Sequence, residues 1–317
     1  MADCLDDWGT KPQMNAIKRR LFLLSCLSIL VFNFPVSTQT VAPIPEKTKI
    51  GLNSVTENSV QTLRLDSKLM SREMPYRVIL PAGYSAQKLR EPGYSVIYLL
   101  HGLTGHFDNW IDRTKLAQYA AAYKFIIVTP EGDNGWYTDS VSVPTDKYES
   151  YIIKELIPEI DKNFRTVADR DHRAIAGLSM GGYGSLKFGM KYPEMFSLAG
   201  SFSGALGAAS YSEKTVGAIG KAIDLIYGPL DSDTRKTNDI FKIAKDITPD
   251  KIKSLPFLYV DCGTEDFLFQ NNRDFVQLLI ERKFPHEFRQ LPGGHNWRYW
   301  DEQVREFLEL SEKHLKR

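Results

Sequence analysis

The feature that most constrains this chain is a serine held between two glycines where an apolar strand meets a helix. It reads Gly177-Leu178-Ser179-Met180-Gly181, with Ala174-Ile175-Ala176 leading in and Gly182 and Gly184 following. The serine of such a turn adopts a strained conformation, and side chains two residues to either side would collide with the neighbouring strand and helix. The strand must also be buried on both faces, which calls for a sheet with helices above and below it. The rest of the sequence supplies that sheet. The short apolar segments YSVIYLLHG, FIIVTPEG, HRAIAGLSM, SLAGSFSGA, FLYVDCG and HEFRQLPG alternate with helical ones such as LAQYAAAYKF and GYGSLKFGMKYP. That order predicts an α/β fold with a mostly parallel central sheet and helices on both faces. SVQTLRLDS and MPYRVILP precede it as two further strands. In YESYIIKELIPEIDKNFR, Ile152, Leu156, Ile160 and Phe164 fall four apart on one helical stripe, and Pro158 should kink that helix or cost it a hydrogen bond.

Ahead of this body, Lys18, Arg19 and Arg20 precede an apolar run from Leu21 to Val36, followed by Ser37, Thr38, Gln39 and Thr40. A basic then apolar then small-polar start is the secretory pattern. The run is short for a membrane span of about 20 apolar residues, although an uncleaved anchor is the alternative. Residues 1–38 therefore read as a signal peptide, 39–58 as a linker and 59–317 as one large domain. Met14 is a second candidate start, because the thirteen residues before it add three acidic groups that signals rarely carry. Extracytoplasmic localisation, periplasmic or secreted, is the expectation, with no stable membrane insertion once the segment is cut. Forty Lys and Arg against 39 Asp and Glu leave no electrostatic footprint for nucleic acid. Cys262 is the one cysteine beyond the expected signal, so no intrachain disulfide is available to the mature domain.

A serine nucleophile needs a base, and in this fold the chain order is serine, acid, histidine. Only His286, His295 and His314 follow Ser179. His286 lies within a strand and His314 in a C-terminal amphipathic helix, whereas His295 follows Pro292-Gly293-Gly294 just past a strand end, where a base must reach the serine. For the acid, FLYVDCGTEDFLF offers Asp261, Glu265 and Asp266. Asp266 lies deepest in the loop and is preferred, with Asp261 as its competitor at the strand end. Tetrahedral intermediates need two backbone N–H donors. Met180, after the nucleophile, is placed for one, and Leu103, in the early loop His101-Gly102-Leu103-Thr104-Gly105, for the other. His101 precedes Ser179 and reads as a prop for that loop. Trp136, Tyr137 and Ser140, after another strand end, are candidates to line the cleft, as are Trp110, Trp297 and Trp300. No His/Asp cluster has a ligand spacing such as H-x₃-H, so neither a metal nor another cofactor is expected.

Together HGLTG, GWYTDS, GLSMGGYGSL, CGTEDFLF and PGGHNW resemble the esterase family of the α/β-hydrolases. That family includes tributyrin, feruloyl and acetyl-xylan esterases, S-formylglutathione hydrolases and mycolyltransferases. The similarity runs from about Val60 to the C-terminus, and YRVILPAGY and YIIKELIPEIDKNFR fit it too. It implies the α/β-hydrolase fold, Ser179 as nucleophile, Asp266 as acid, His295 as base, and Leu103 and Met180 as oxyanion donors. The expected activity is hydrolysis of small to medium acyl esters through an acyl-enzyme, the substrate being a small-molecule or carbohydrate-linked ester. Acyl transfer to a sugar or lipid hydroxyl is the alternative, since both reactions share the acyl-enzyme. S-formylglutathione hydrolysis is disfavoured for an exported chain. A hydrolase scaffold kept as a non-catalytic binding module would have lost a triad member, and none is lost. The segment from Gly204 to Asn238 is the least family-like part and is a candidate lid or cap.

Overall fold

Six-residue apolar runs become strands here because both of their faces are covered. The structure is a computed structural model that describes residues 59–84 and 93–316. The signal and linker expected over 1–58 lie outside the described residues. Eight strands form one sheet: β1 (Ser59–Ser67), β2 (Arg72–Leu80), β3 (Ser95–Leu100), β4 (Phe125–Pro130), β5 (Arg173–Leu178), β6 (Leu198–Phe202), β7 (Phe257–Gly263) and β8 (His286–Leu291). Their order is β1-β2-β4-β3-β5-β6-β7-β8, with β1 and β2 antiparallel to their neighbours and the rest parallel. In β3 the side chains alternate between two cores: Val96, Tyr98 and Leu100 face one, Ile97 and Leu99 the other. This period of two, with every β3 residue buried, is what a doubly covered sheet requires.

The helices, in chain order, are α1 (Asn109–Asp112), α2 (Leu116–Ala120), α3 (Tyr148–Tyr151), α4 (Ile157–Asn163), α5 (Met180–Lys191), α6 (Glu213–Tyr227), α7 (Asp233–Asn238), α8 (Ile240–Asp246), α9 (Pro249–Ile252), α10 (Phe269–Arg282) and α11 (Trp297–His314). Trp110 of α1, Leu116 of α2 and Val304, Phe307 and Leu308 of α11 fill one core; α4, α5, α8 and α10 send Ile160, Leu186, Ile240 and Phe275 into the other. Two local expectations change. The helix predicted over LAQYAAAYKF stops at Ala120, since Ala121, Ala122 and Tyr123 close tight i→i−3 turns that deliver Phe125 into β4. Pro158 does not break its helix: residues Ile152–Leu156 widen into a π-helical turn, and α4 starts afresh with the proline in its first turn, where the missing N–H costs nothing.

Candidate active site

Three loops at the carboxyl ends of β5, β7 and β8 converge, as an open parallel sheet dictates. Between β5 and α5, Ser179 has φ 52° and ψ −114°, a region L-residues avoid. Two hydrogen bonds hold it there: its N–H donates to the Phe202 carbonyl at 2.9 Å, and its carbonyl accepts from Ala205 N–H at 3.0 Å. The flanking glycines are steric necessities. A Cβ on Gly177 would lie 2.5 Å from the Gly181 backbone, and one on Gly181 would lie 2.4 Å from the Leu100 carbonyl oxygen. Strain at the serine is thus maintained by close backbone packing around it.

Past β7, the loop Thr264–Leu268 is bound to the loop past β8: Thr264 N–H donates to Leu291 and Glu265 N–H to Gly293. This clamp carries Asp266 to His295. Asp266 Oδ2 is 2.9 Å from His295 Nδ1, while its Oδ1 accepts the Leu268 N–H at 2.8 Å. His295 Nε2 in turn lies 3.0 Å from Ser179 Oγ. Asp266 is buried and Ser179 and His295 are half-buried, so the chain of bonds runs from the interior outward. The other two acidic candidates do not join it. Glu265 is exposed, and Asp261 is fully buried within β7, in register with Phe202. Burial pushes the Asp261 carboxyl well above the usual range, with the nearby Asp266 charge adding to the rise. His286 turns its Nδ1 to the Phe284 carbonyl, and His314 stacks on Phe257.

The oxyanion candidates sit on either side of Ser179. α5 makes its first intrahelical bond from Tyr183 N–H to the Ser179 carbonyl, which leaves Met180 N–H outside the helical ladder at the positive end of the helix. In the loop after β3, Thr104 (φ 61°) donates its N–H to Asn134 Oδ1 and Gly105 donates to the Gly102 carbonyl, fixing the turn around Leu103. Beneath this loop lies a buried polar support that the sequence reading only touched. His101 contacts Gly102 O and Glu131 Oε1, and Glu131 also takes the N–H groups of Phe107, Gly132 and Asp133. Burial would raise the Glu131 carboxyl, but His101 and these donors outweigh it and hold it at about 2.

The aromatic residues expected along the cleft are placed otherwise. Tyr137 is wholly buried: its hydroxyl donates to the His101 carbonyl and its ring fills the space above Gly132 and Gly184. Trp136 is buried edge-on to Tyr183 and Tyr211. Tyr137 supports the loop after β3, both rings pack against α5 from within, and neither offers a ligand a surface. Trp110 is likewise core, with its indole N–H on the Leu100 carbonyl. Trp297 is half-buried, edge-on to Trp110 and Trp300, and lines a surface hollow with Arg113 and Arg298. A polar cavity of about 410 Å³ opens among Arg72, Asp133, Asn134, Asp146 and Tyr148, but neither Ser179 nor His295 lines it. Two further residues were assigned no role from the sequence. Lys187, fully buried in α5, donates to the Tyr137 carbonyl at 2.6 Å and to Thr138 Oγ1 at 2.7 Å, and pairs with Glu149 at 2.9 Å. Phe267, beside Asp266, stands 78% exposed.

With this geometry in view, the family model for Esterase matches residues 67–309. The chain belongs to the Esterase family. It is a carboxylic ester hydrolase on the α/β-hydrolase fold. It is similar to an acetyl esterase of Caldicellulosiruptor saccharolyticus, 25% identical over 264 residues, covering 80% of this chain and 98% of that one. An esterase of Mycobacterium tuberculosis is 32% identical over 246 residues, 70% of this chain but 52% of its own length. Among solved structures, a ferulic acid esterase superposes with a TM-score of 0.69 at 29% identity, covering 82% of this chain and 99% of its own.

Proposed function

We propose that this esterase works through Ser179, His295 and Asp266 on small to medium acyl esters, forming an acyl-enzyme on the serine. The observation that carries the reading is the continuous bond chain from Ser179 Oγ through His295 to Asp266, at 3.0 and 2.9 Å. In this reading His295 Nε2 takes the Oγ proton as the serine attacks the ester carbonyl. The Leu103 and Met180 amides receive the negative oxygen of the tetrahedral intermediate. As that intermediate collapses, the acyl C–O bond breaks and the Nε2 proton goes to the departing alcohol. Water, deprotonated by the same nitrogen, then releases the acid. Asp266 holds the ring in the tautomer with its proton on Nδ1 and stabilises the imidazolium.

Ser179→Ala should lower kcat/KM on p-nitrophenyl acetate by roughly 10⁴–10⁶-fold while its melting temperature matches the wild type. A fluorophosphonate probe should label Ser179, seen by peptide mass. Labelling of another serine, or an unimpaired variant, overturns the assignment. The reading extends to export, supported by the basic and apolar start of the sequence. Among the described residues no helix is long and apolar enough to cross a membrane. N-terminal sequencing of the native protein should find a start between Ser37 and Ala42; retention of the apolar run would favour an anchored enzyme.

A further inference from the structure

A single exposed apolar side chain is ordinary on a protein surface, so what distinguishes Phe267 is that its ring lies against the proposed catalytic base. Phe267 is 78% exposed, and its ring centroid lies 4.7 Å from that of His295 with the planes tilted by 48°. Its backbone is fixed: Asp266 N–H donates to the Gly263 carbonyl, Asp266 Oδ1 accepts the Leu268 N–H, and Leu268 is buried just ahead of α10. On its other side His295 meets the buried Trp300 edge-on at 4.9 Å. Trp300 therefore packs the base from within, while Phe267 borders it on the solvent side and keeps most of its ring free.

The position assigns the ring to one half of the substrate, an assignment that rests on the serine mechanism proposed above. The acyl carbon sits on Ser179 Oγ and its carbonyl oxygen turns toward Leu103 and Met180. The oxygen that receives the proton from His295 Nε2 is the one on the leaving alcohol. Of the two halves of the substrate, the alcohol is the one that comes up against the imidazole, and Phe267 borders that imidazole from the solvent. We infer that Phe267 is a specificity-determining residue that stacks on a flat, apolar ring face of the leaving alcohol. An aryl ring offers such a face, and so does the C–H face of a sugar ring.

Three acetates with a common acyl group separate the possibilities: ethyl acetate, phenyl acetate and an acetylated methyl xyloside. In Phe267→Ala, kcat/KM on the ring-bearing esters should fall about tenfold relative to ethyl acetate, the size of one aromatic stack. Phe267→Tyr should restore it. Where deacylation limits, kcat should hold, because the acetyl-enzyme is the same for all three. Relative loss on phenyl acetate alone assigns an aryl alcohol, and loss on the sugar acetate alone assigns a sugar. An equal loss on all three, accompanied by a shifted acid limb of the pH profile, would show instead that the ring shields the His295–Asp266 pair and would overturn the inference. So would a loss that follows acyl length in a p-nitrophenyl series. Failure of the serine mechanism itself reads differently, as Ser179→Ala retaining activity on the same esters.

Discussion

Two carboxylates five residues apart meet opposite surroundings. Asp266 reaches His295 Nδ1 and accepts the Leu268 N–H. Asp261 is sealed in β7, where burial pushes its carboxyl well above the usual carboxylate range. Asp266→Asn should then cost roughly 10⁴-fold in kcat, because an amide selects the wrong imidazole tautomer and cannot stabilise the cation. Asp261→Asn keeps the shape of a side chain that lies outside the bond chain through His295 and should cost less than about tenfold. Steady-state rates on one chromogenic ester decide it, and a reversed order of the two variants refutes the assignment of the acid. Local chemistry made these residues candidates: glycines marked Ser179, chain order selected His295, and depth in the loop favoured Asp266, and the fold brings the three within hydrogen-bonding distance. Burial was not readable. Trp136 and Tyr137 stand after a strand end as cleft residues do, but the chain turns at Asp133, Trp136 and Tyr137, all at positive φ, and folds both rings inward. Lys187 gave no signal, since nothing in GYGSLKFGMKYP says that its ammonium will meet Glu149, thirty-eight positions earlier.

That lysine matters at the scale of elements, because α5 follows directly on Ser179, the proposed nucleophile, and must be held against the loop after β4. Its Nζ ties α5 to the Tyr137 carbonyl and Thr138, and Thr138 Oγ1 passes the link to Tyr227 of α6. Tyr227 donates to Tyr183 of α5, whose hydroxyl donates to the Asn238 carbonyl at the end of α7. The segment expected as a lid is therefore fastened to α5 by buried polar bonds. Arg235, also buried, adds bonds to the carbonyls of Ala209, Tyr211 and Gly228. Removing one partner of a buried ion pair leaves the other uncompensated, so Glu149→Leu should destabilise the fold by about 3–5 kcal/mol. Combining it with Lys187→Met should return part of that loss, giving a coupling above about 1 kcal/mol in a denaturant double-mutant cycle. Additive effects would show that the pair does not act as a unit.

For the whole molecule, the sequence made the α/β class and most strands legible, because β3 to β7 are buried on both faces and read as short apolar runs, whereas β8, at the sheet edge, is only partly buried. Strand order was not legible from the residues themselves. β4 lies between β2 and β3 in space, and no pattern in FIIVTP carries that information. The same architecture buries charge on the apolar sheet's own terms, and this fixes how the molecule should respond to acid. Glu131 and Glu149 are both buried and both held at about 2, against an ordinary 4.5. For Glu149, burial alone would raise the value, but Lys187, Lys191 and the Tyr192 hydroxyl outweigh it. A depressed carboxylate binds its proton more readily in the unfolded chain, so its contribution is complete above the unfolded value and disappears as pH falls through the folded one. Each group contributes about 3 kcal/mol at most by this route. The melting temperature should thus hold level down to about pH 5 and drop steeply between about pH 4.5 and 2. Glu149→Gln should begin from a lower plateau, since Lys187 loses its counter-charge, and then fall with a shallower acid limb, since one of the two titrating groups is gone. Thermal melts followed by circular dichroism across that range provide the measurement. Parallel acid limbs in the variant and the wild type would show that other carboxylates carry the acid sensitivity.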